Sequence, residues 1–276
     1  MCLEYADVAR DEVAVGIEHY GRVEDPVTAI LAGIGRSRDL TIDDLAPVDE
    51  FHLGGAAATA ALVADLDLRP EDRVLDIGSG IGGPARRIAS VVGCEVVGVD
   101  LTPSFVETAT ALSELTGLDD RTSFVVGDAT QLEFASRFDA ATLVHVGMNI
   151  PDKSAFFAAV ADQLEPGARL GIYDLMATGD PDRLSYPLPF SSDASGAWVA
   201  SPDAYVASLV AAGFDVAEPI DRTQLALDAT AAANAAGPPP VSLATLMGPD
   251  FDAMFANIGA ALRGGLLAPV QIIATR

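Results

Sequence analysis

Apolar and polar positions follow two different periods along most of this chain. From Val74 onward, short apolar runs typical of buried strands alternate with longer segments in which apolar residues recur at helical spacing. Strands and helices that alternate through short connections form right-handed βαβ units, so the pattern predicts an α/β fold with a mostly parallel sheet. We predict strands at residues 73–77, 95–99, 122–126, 140–144 and 169–173, and helices at 84–92, 103–116 and 154–164.

The flanking segments predict additions to this core. Residues 1–70 carry helical patterns at 8–20, 26–35 and 54–66 with a turn at 46–49, and we expect an N-terminal helical cap. The core, residues 71–276, contains a segment rich in Pro, Ser and Asp at about 176–202, which is typical of a lid after the fifth strand. Further strands at 214–219 and at 269–275, the latter a candidate edge strand, and helices at 202–212 and 251–263 complete a doubly wound, Rossmann-like, mostly parallel seven-stranded sheet.

Charge limits the classes of partner. The 276 residues include 16 Lys and Arg against 40 Asp and Glu, a formal charge of −24. Such a chain repels phosphate backbones and anionic membranes, so we expect a small-molecule substrate, with neither nucleic acid nor membrane as partner. Cys2 and Cys94 show no disulfide or metal spacing, and the acidic N-terminus does not resemble a signal peptide. These features favour a cytoplasmic protein without a metal ion.

A glycine-rich loop follows the first core strand. Gly78, Gly80 and Gly83 satisfy the pattern G-x-G-x-x-G of dinucleotide sites, so a nicotinamide oxidoreductase is one alternative. Asp76 precedes the loop by two residues, where its carboxylate would repel a pyrophosphate but suits the ammonium group of a methionine moiety. Asp100 ends the next strand, where a carboxylate can accept both ribose hydroxyls under either interpretation. The loop therefore favours a sulfonium cofactor.

The glycine loop resembles motif I of the class I S-adenosylmethionine-dependent methyltransferases, and residues 124–129 resemble their third-strand motif. The resemblance implies that Asp128 binds the adenine amino group and that the N–H of Ala129 faces the ring. Residues 45–55 and 147–153 resemble the sarcosine and dimethylglycine N-methyltransferases and the quinone and tocopherol C-methyltransferases. The expected cofactor is S-adenosylmethionine, and its predicted contacts are Asp76, Gly78, Ser79, Gly80, Gly82, Asp100, Leu101, Asp128, Ala129 and His145.

Candidate catalytic groups lie at the reaction edge and in the cap. His145 follows the fourth strand, where open α/β sheets bind ligands, and a neutral imidazole can take the proton that the acceptor loses. Hydrogen bonding to cofactor or substrate and a purely structural role are alternatives for His145. Tyr20, near the end of the first predicted helix, is the second catalytic candidate. Because the methyl group is already activated, alignment and exclusion of water can supply most of the acceleration, and no strong acid–base dyad is required.

Several functions remain open from the residues alone. The leading hypothesis is methyl transfer to a small molecule, with an amine nitrogen favoured and with C- or O-methylation of a quinone, phenol or other metabolite as the alternative. A nicotinamide oxidoreductase and a nucleotide-binding protein without catalysis are alternatives from other classes. The apolar tail and the helical N-terminus are compatible with a homodimer or with completion of the monomer. The predicted substrate-binding residues are His52, Asn149, Asp174 and Trp198.

Overall fold

A single mixed sheet forms the centre of the molecule in the computed structural model, which describes residues 25–131 and 133–276. The strands are β1 (Arg73–Ile77), β2 (Glu95–Asp100), β3 (Thr122–Val126), β4 (Phe138–Val144), β5 (Leu164–Ala177), β6 (Asp215–Val216), β7 (Ile220–Asp221) and β8 (Leu267–Thr275). Their order is β3-β2-β1-β4-β5-β8-β6, and β7 also pairs with β8. Strands β1 to β5 are parallel, whereas β8 runs antiparallel to β5.

Ten helices surround this sheet in the described part of the chain. They are α1 (Pro26–Ile34), α2 (Ile42–Asp49), α3 (Gly55–Leu66), α4 (Gly83–Val92), α5 (Pro103–Thr116), α6 (Lys153–Gln163), α7 (Pro202–Ala211), α8 (Thr223–Ala236), α9 (Ala244–Met247) and α10 (Phe251–Arg263). Side-chain caps start several of them: Thr41 and Asp44 form a reciprocal capping box at α2, and Asp152 accepts from the N–H of Ala155 at α6.

Helices cover both faces of the sheet because successive strand residues point to opposite sides. Val74 of β1 packs with Ile88 and Ala89 of α4 on one face. Its neighbour Leu75 belongs to the cluster on the other face, together with Phe156, Phe157 and Val160 of α6 and Leu209 of α7. The predicted doubly wound α/β fold is therefore confirmed. Since the parallel strands all end at one edge, the residues that follow β1, β2, β3 and β4 come together there.

The predicted turn at residues 46–49 is wrong. These residues form the last turn of α2, with Pro47 inside the helix. Pro47 removes one backbone hydrogen bond, but Leu45, Val48 and Asp49 on the same turn are buried, and the packing of these side chains outweighs that loss.

Two predictions at the far edge of the sheet also need correction. Within the strand predicted at 214–219 only residues 215–216 form a strand, β6, and a separate strand, β7, follows at 220–221, so the sheet has eight strands and not seven. Pro219, which lies between them, has no N–H to donate to β8. The strand predicted at the edge, 269–275, is β8, an inner strand flanked by β5 on one side and by β6 and β7 on the other.

The segment between β5 and α7, residues 178–201, contains two short 3₁₀ turns, Pro181–Arg183 and Ala194–Gly196. Leu184, Leu188 and Phe190 of this post-β5 segment pack with Met148 and Ile258, and thus over the ends of β4 and β5. The predicted helix at 8–20 lies outside the described residues. Helix α8 is not predicted by the apolar pattern, because it buries Ala226 but otherwise lacks an apolar stripe and is helical through its high alanine content.

Candidate active site

The glycine loop turns sharply between β1 and α4. Gly78, Gly80 and Gly82 have φ angles of 70°, 54° and 83°, in the left-handed region that glycine adopts without strain. The amides of Gly78 and Ser79 donate to the carbonyl of Val99 at the end of β2, at 2.8 and 3.0 Å. A Cβ atom on Gly78 would collide with Val146, whereas one on Gly80 would meet nothing within 4 Å. Gly80 therefore borders open space in which a ligand can approach the backbone.

Asp76 presents a buried, unpaired carboxylate oxygen beside this loop. The residue is 2% exposed, and its Oδ1 accepts from the hydroxyl of Thr142 on β4 at 2.7 Å. Within the described structure, Oδ2 is buried without a hydrogen-bond partner. Burial raises the pKa of Asp76 to about 7, and the hydrogen bond from Thr142 opposes the shift. An unpaired carboxylate oxygen here is suited to a cationic ligand group.

Asp100 fixes the loop from the neighbouring strand. Its Oδ2 accepts from the amide of Gly80 at 2.8 Å, and its Oδ1 accepts from the amide of Thr102 at 2.9 Å. Burial raises its pKa, and the two backbone hydrogen bonds oppose that shift. Each carboxylate oxygen retains a lone pair, so Asp100 can hold the loop and accept ligand hydroxyls together. Leu101 follows it directly.

The third acid stands after β3. The Oδ1 of Asp128 accepts from the amide and the hydroxyl of Thr130, and its Oδ2 accepts from Nε2 of Gln131 at 3.2 Å. Ala129 is half-buried against the core. The amide of Gly127 donates to the carbonyl of Asp100, which joins the ends of β2 and β3. The structure therefore brings Asp76, Asp100 and Asp128 to the carboxyl ends of neighbouring strands.

Three aromatic rings meet beyond the end of β4. His145 has a φ of 55°, its amide donates to the carbonyl of Tyr173, and its ring stacks on that of Tyr173 with centroids 5.7 Å apart. The ring of His52 is 5.7 Å from that of His145 and 5.8 Å from that of Tyr173, edge-on to both. Nε2 of His145 is buried without a partner in the described part of the chain. Burial lowers the pKa of both histidines, so both are neutral at pH 7.

Comparisons with known proteins agree on one family. Residues 74–167 match the methyltransferase domain family. A sterol 24-C-methyltransferase of Yarrowia lipolytica is 33% identical over 135 residues, which are 49% of this chain and 35% of that protein. The methyltransferase GfsG of Streptomyces halstedii is 29% identical over 184 residues, 66% of each protein. Residues 74–167 therefore form a methyltransferase domain, and the sequence motifs within it resemble those of the class I S-adenosylmethionine-dependent enzymes.

The same domain fold recurs in solved structures. The crystal structure of the [4+2]-cyclase SpnF superposes with a TM-score of 0.65 at 22% identity, covering 96% of each chain. The family match at residues 74–167 agrees with the family and the cofactor predicted from the sequence. The match spans about a third of the sterol methyltransferase and two thirds of GfsG. The residues present fit the cofactor, because the unpaired Asp76 Oδ2 suits the methionine ammonium group and the open side of Gly80 leaves room for the nucleoside.

Two of the predicted substrate residues bind other parts of the protein. Asn149 donates from Nδ2 to the carbonyl of Phe190 at 2.8 Å, inside the post-β5 segment. Asp174 is completely buried, and its Oδ2 accepts from the hydroxyl of Tyr205 at 2.7 Å. Burial raises the pKa of Asp174 to about 6. Asn149 thus anchors the post-β5 segment, and Asp174 anchors α7.

Trp198 borders a cavity that the three rings do not line. It is 40% exposed and borders a cavity of about 870 Å³ between the post-β5 segment and the start of α6. Residues of the glycine loop, His52 and His145 are not among those that line this cavity. The amide of Trp198 donates to the carbonyl of Met148, and its carbonyl accepts from Nζ of Lys153. Of the remaining candidates, Tyr20 lies outside the described residues.

The polar residues that support the site are not predicted by the sequence pattern. Thr142 holds Asp76, while Glu50 and Thr59 contact His52. Arg87 of α4 donates from Nε to Oε1 of Glu50 at 2.5 Å. Helical spacing places Arg87 on α4, but nothing in its spacing from Glu50 predicts the contact, because 37 residues separate the two.

In the described residues, none of the helices is long and apolar enough to cross a membrane.

Proposed function

We propose that this protein transfers the methyl group of S-adenosylmethionine to a small-molecule acceptor whose reacting atom, an amine nitrogen, loses a proton during the reaction. The observation that carries the proposal is the position of two neutral imidazoles, His52 and His145, at the strand edge where Asp76, Asp100 and Asp128 meet. Neutral imidazoles beside a cofactor site can accept a proton, which charged ones cannot.

The cofactor, when bound, supplies a methyl group on a sulfonium centre that is already activated. In this proposal Asp76 binds the methionine ammonium group, Asp100 the ribose hydroxyls, and Asp128 with the amide of Ala129 the adenine. Gly78, Ser79, Gly80, Gly82 and Leu101 form the backbone surface against which it lies. The stacked ring of Tyr173 limits the movement of His145 beside it.

Charge favours nitrogen as the accepting atom. A formal charge of −24 attracts cationic amines and raises their concentration near the protein. An amine must lose its proton before or during attack, and the buried imidazoles provide a place for that proton. Oxygen is the second candidate, because a neutral imidazole also takes the proton of a phenol or an alcohol. We further propose that the post-β5 segment, residues 178–201, acts as a lid that excludes water, with Asn149 holding it through Phe190.

Two measurements, made one after the other, test the function. Calorimetry with S-adenosylhomocysteine should show binding, and the absence of heat or thermal shift at millimolar ligand would contradict the cofactor assignment. Preferential binding of NADH would favour the nicotinamide alternative. Labelled-methyl transfer to a panel of amines, phenols and quinones should then give a labelled amine. A labelled phenol or a C-methylated quinone would show that oxygen or carbon, and not nitrogen, accepts the methyl group. Binding without any turnover would favour a protein that binds the cofactor without transferring its methyl group.

A further inference from the structure

The contacts of His52 determine which of its nitrogens carries the proton. Its Nε2 lies 3.0 Å from the carbonyl oxygen of Gly55 and 3.1 Å from Oγ1 of Thr59. A carbonyl oxygen can only accept, so Nε2 must be the donor. The hydroxyl of Thr59 uses its own proton to bind Oε2 of Glu50, at 2.6 Å, and therefore also offers a lone pair to Nε2. In neutral His52 the proton is consequently on Nε2, and Nδ1 carries the basic lone pair.

Glu50 supports the charged form of this imidazole. Its Oε2 is 3.7 Å from Nε2 of His52, and both side chains are 1% exposed. Its other oxygen, Oε1, is held by Nε of Arg87 at 2.5 Å, which fixes the carboxylate in place. A negative charge this close to a buried imidazole stabilises the imidazolium over the neutral ring. Burial lowers the pKa of His52, and Glu50 raises it again.

Three further groups surround His52, and one of them, Arg87, opposes the effect of Glu50. The guanidinium of Arg87, behind Glu50, lowers the pKa of His52. The ring of His145 lies on one side, and the phenol of Tyr173, which donates to the carbonyl of Leu53, lies on another. A positive charge on His52 lowers the pKa of His145, so the two rings are not in the imidazolium form at the same time. His145 has no carboxylate against its ring in the described residues.

From these contacts we infer that His52 accepts the proton that the acceptor loses, and that Glu50 is a positioning residue that orients His52 through Thr59. The inference rests on the proposed function. The lone pair of the acceptor atom forms the new bond to the methyl carbon, the electrons of the carbon–sulfur bond leave with sulfur, and the acceptor proton moves to Nδ1 of His52. Glu50 then faces the resulting imidazolium, whereas His145 remains neutral and orients the acceptor.

The tautomer can be measured without turnover. The chain has three histidines, so ¹⁵N-labelled histidine gives a simple NMR spectrum in which the variant His52→Asn assigns the His52 signals. We expect His52 as the Nε2–H tautomer with an unprotonated Nδ1, and we expect Glu50→Gln to lower its pKa. A spectrum that shows the Nδ1–H tautomer, or a His52 pKa that is unchanged in Glu50→Gln, would overturn the inference.

Kinetics test the role of Glu50 in the reaction. Because the reaction requires neutral His52, kcat rises with pH through the pKa of this imidazole. Glu50→Gln should lower kcat by about tenfold or more, since a weaker base accepts the proton, and should move the acidic limb of the kcat profile to lower pH. Affinity for S-adenosylhomocysteine should stay within about twofold, as the change leaves every proposed cofactor contact intact.

Asp43→Asn is the matched control. Asp43 also contacts Arg87, at 3.4 Å, but it is exposed and touches neither Thr59 nor His52. This variant should keep the kcat of the original protein and the position of the acidic limb of its kcat–pH profile. If Glu50→Gln does not fold, Thr59→Val and Thr59→Ser replace it. The serine variant should keep the hydroxyl and the activity. The valine variant should lose activity, and the acidic limb of its kcat–pH profile should move to lower pH.

The outcomes separate the two proposals. Turnover by the original protein with an unchanged kcat and pH limb in Glu50→Gln, or equal activity of the two Thr59 variants, contradicts the inference about Glu50 and leaves the proposed function intact. A protein that binds S-adenosylhomocysteine but methylates nothing in the panel contradicts the proposed function and, with it, proton transfer to His52. In that case the NMR tautomer still reports whether Glu50 and Thr59 orient the ring.

Discussion

Asp76 links cofactor binding to pH. Its pKa is raised to about 7 by burial, whereas the bound ammonium group would favour the ionised carboxylate and lower that pKa. Binding therefore releases a proton, and affinity increases as pH rises toward 7 and levels off above it. From pH 8 to pH 6 we expect affinity for S-adenosylhomocysteine to fall by about tenfold, because a pKa of 7 leaves roughly a tenth of the carboxylates ionised at pH 6.

Calorimetry at the two pH values measures this dependence. Repeating it in buffers of different ionisation enthalpy counts the proton released. In Asp76→Asn the affinity should be weaker, and its change between pH 6 and pH 8 should disappear. A variant that retains the full pH dependence would show that another group titrates.

Two neighbouring glycines should respond differently to the same substitution. Gly80→Ala places a methyl group in open space at a φ of 54°, so stability should fall by only about 1–2 kcal/mol while cofactor binding is blocked. Gly78→Ala adds a collision with Val146 to a similar strain and should cost about 2–4 kcal/mol. Urea unfolding and calorimetry measure the two effects. Normal cofactor affinity in a folded Gly80→Ala variant would show that the ligand does not bind against this face of the loop.

At the scale of elements, a buried ion pair joins α2 to α4. Nη2 of Arg86 donates to Oδ2 of Asp49 at 2.8 Å and to the carbonyl of Ile81 at 2.7 Å, and Arg86 is completely buried. Arg86→Met leaves the Asp49 carboxylate buried without a partner, and we expect a loss of about 3–5 kcal/mol in the free energy of unfolding. Combining it with Asp49→Leu should recover much of that loss. A double variant as unstable as Arg86→Met would contradict this account.

The accuracy of the element predictions depends on where the determining contacts lie. Residues 73–77, 103–116 and 251–263 were predicted with their observed bounds, because the apolar period and the glycine that follows each segment are local signals. Residues 46–49 were misassigned, since the contacts that bury this turn come from α4, through Arg86 and Asp49, and from α5, through Leu112. Likewise, the three acids could be predicted from strand ends, whereas Glu50 and Thr59 acquire their role only through folding against His52.

At the scale of the whole molecule, charge acts on stability as well as on the choice of substrate. A formal charge of −24 at pH 7 repels itself more strongly in the compact state than in the unfolded chain. Exposed ion pairs such as Arg73–Glu95 and Arg222–Asp65 act against this repulsion but are few beside 40 acidic residues. Raising NaCl from 0.1 to 1 M shortens the screening length from about 10 to about 3 Å, which weakens both the repulsion among the acidic residues and the attraction within the ion pairs.

Because repulsion involves most of the surface and the ion pairs only a small part of it, we expect the Tm at pH 7 to rise with salt. A domain of this size gains roughly 2–4 °C for each kcal/mol, so even a modest relief is measurable by scanning calorimetry. The same titration at pH 5, closer to the pI of about 4.1, is the control: fewer carboxylates are charged there, and the rise should be smaller. A Tm that falls with salt at pH 7 would mean that the ion pairs dominate the electrostatic stability of the fold.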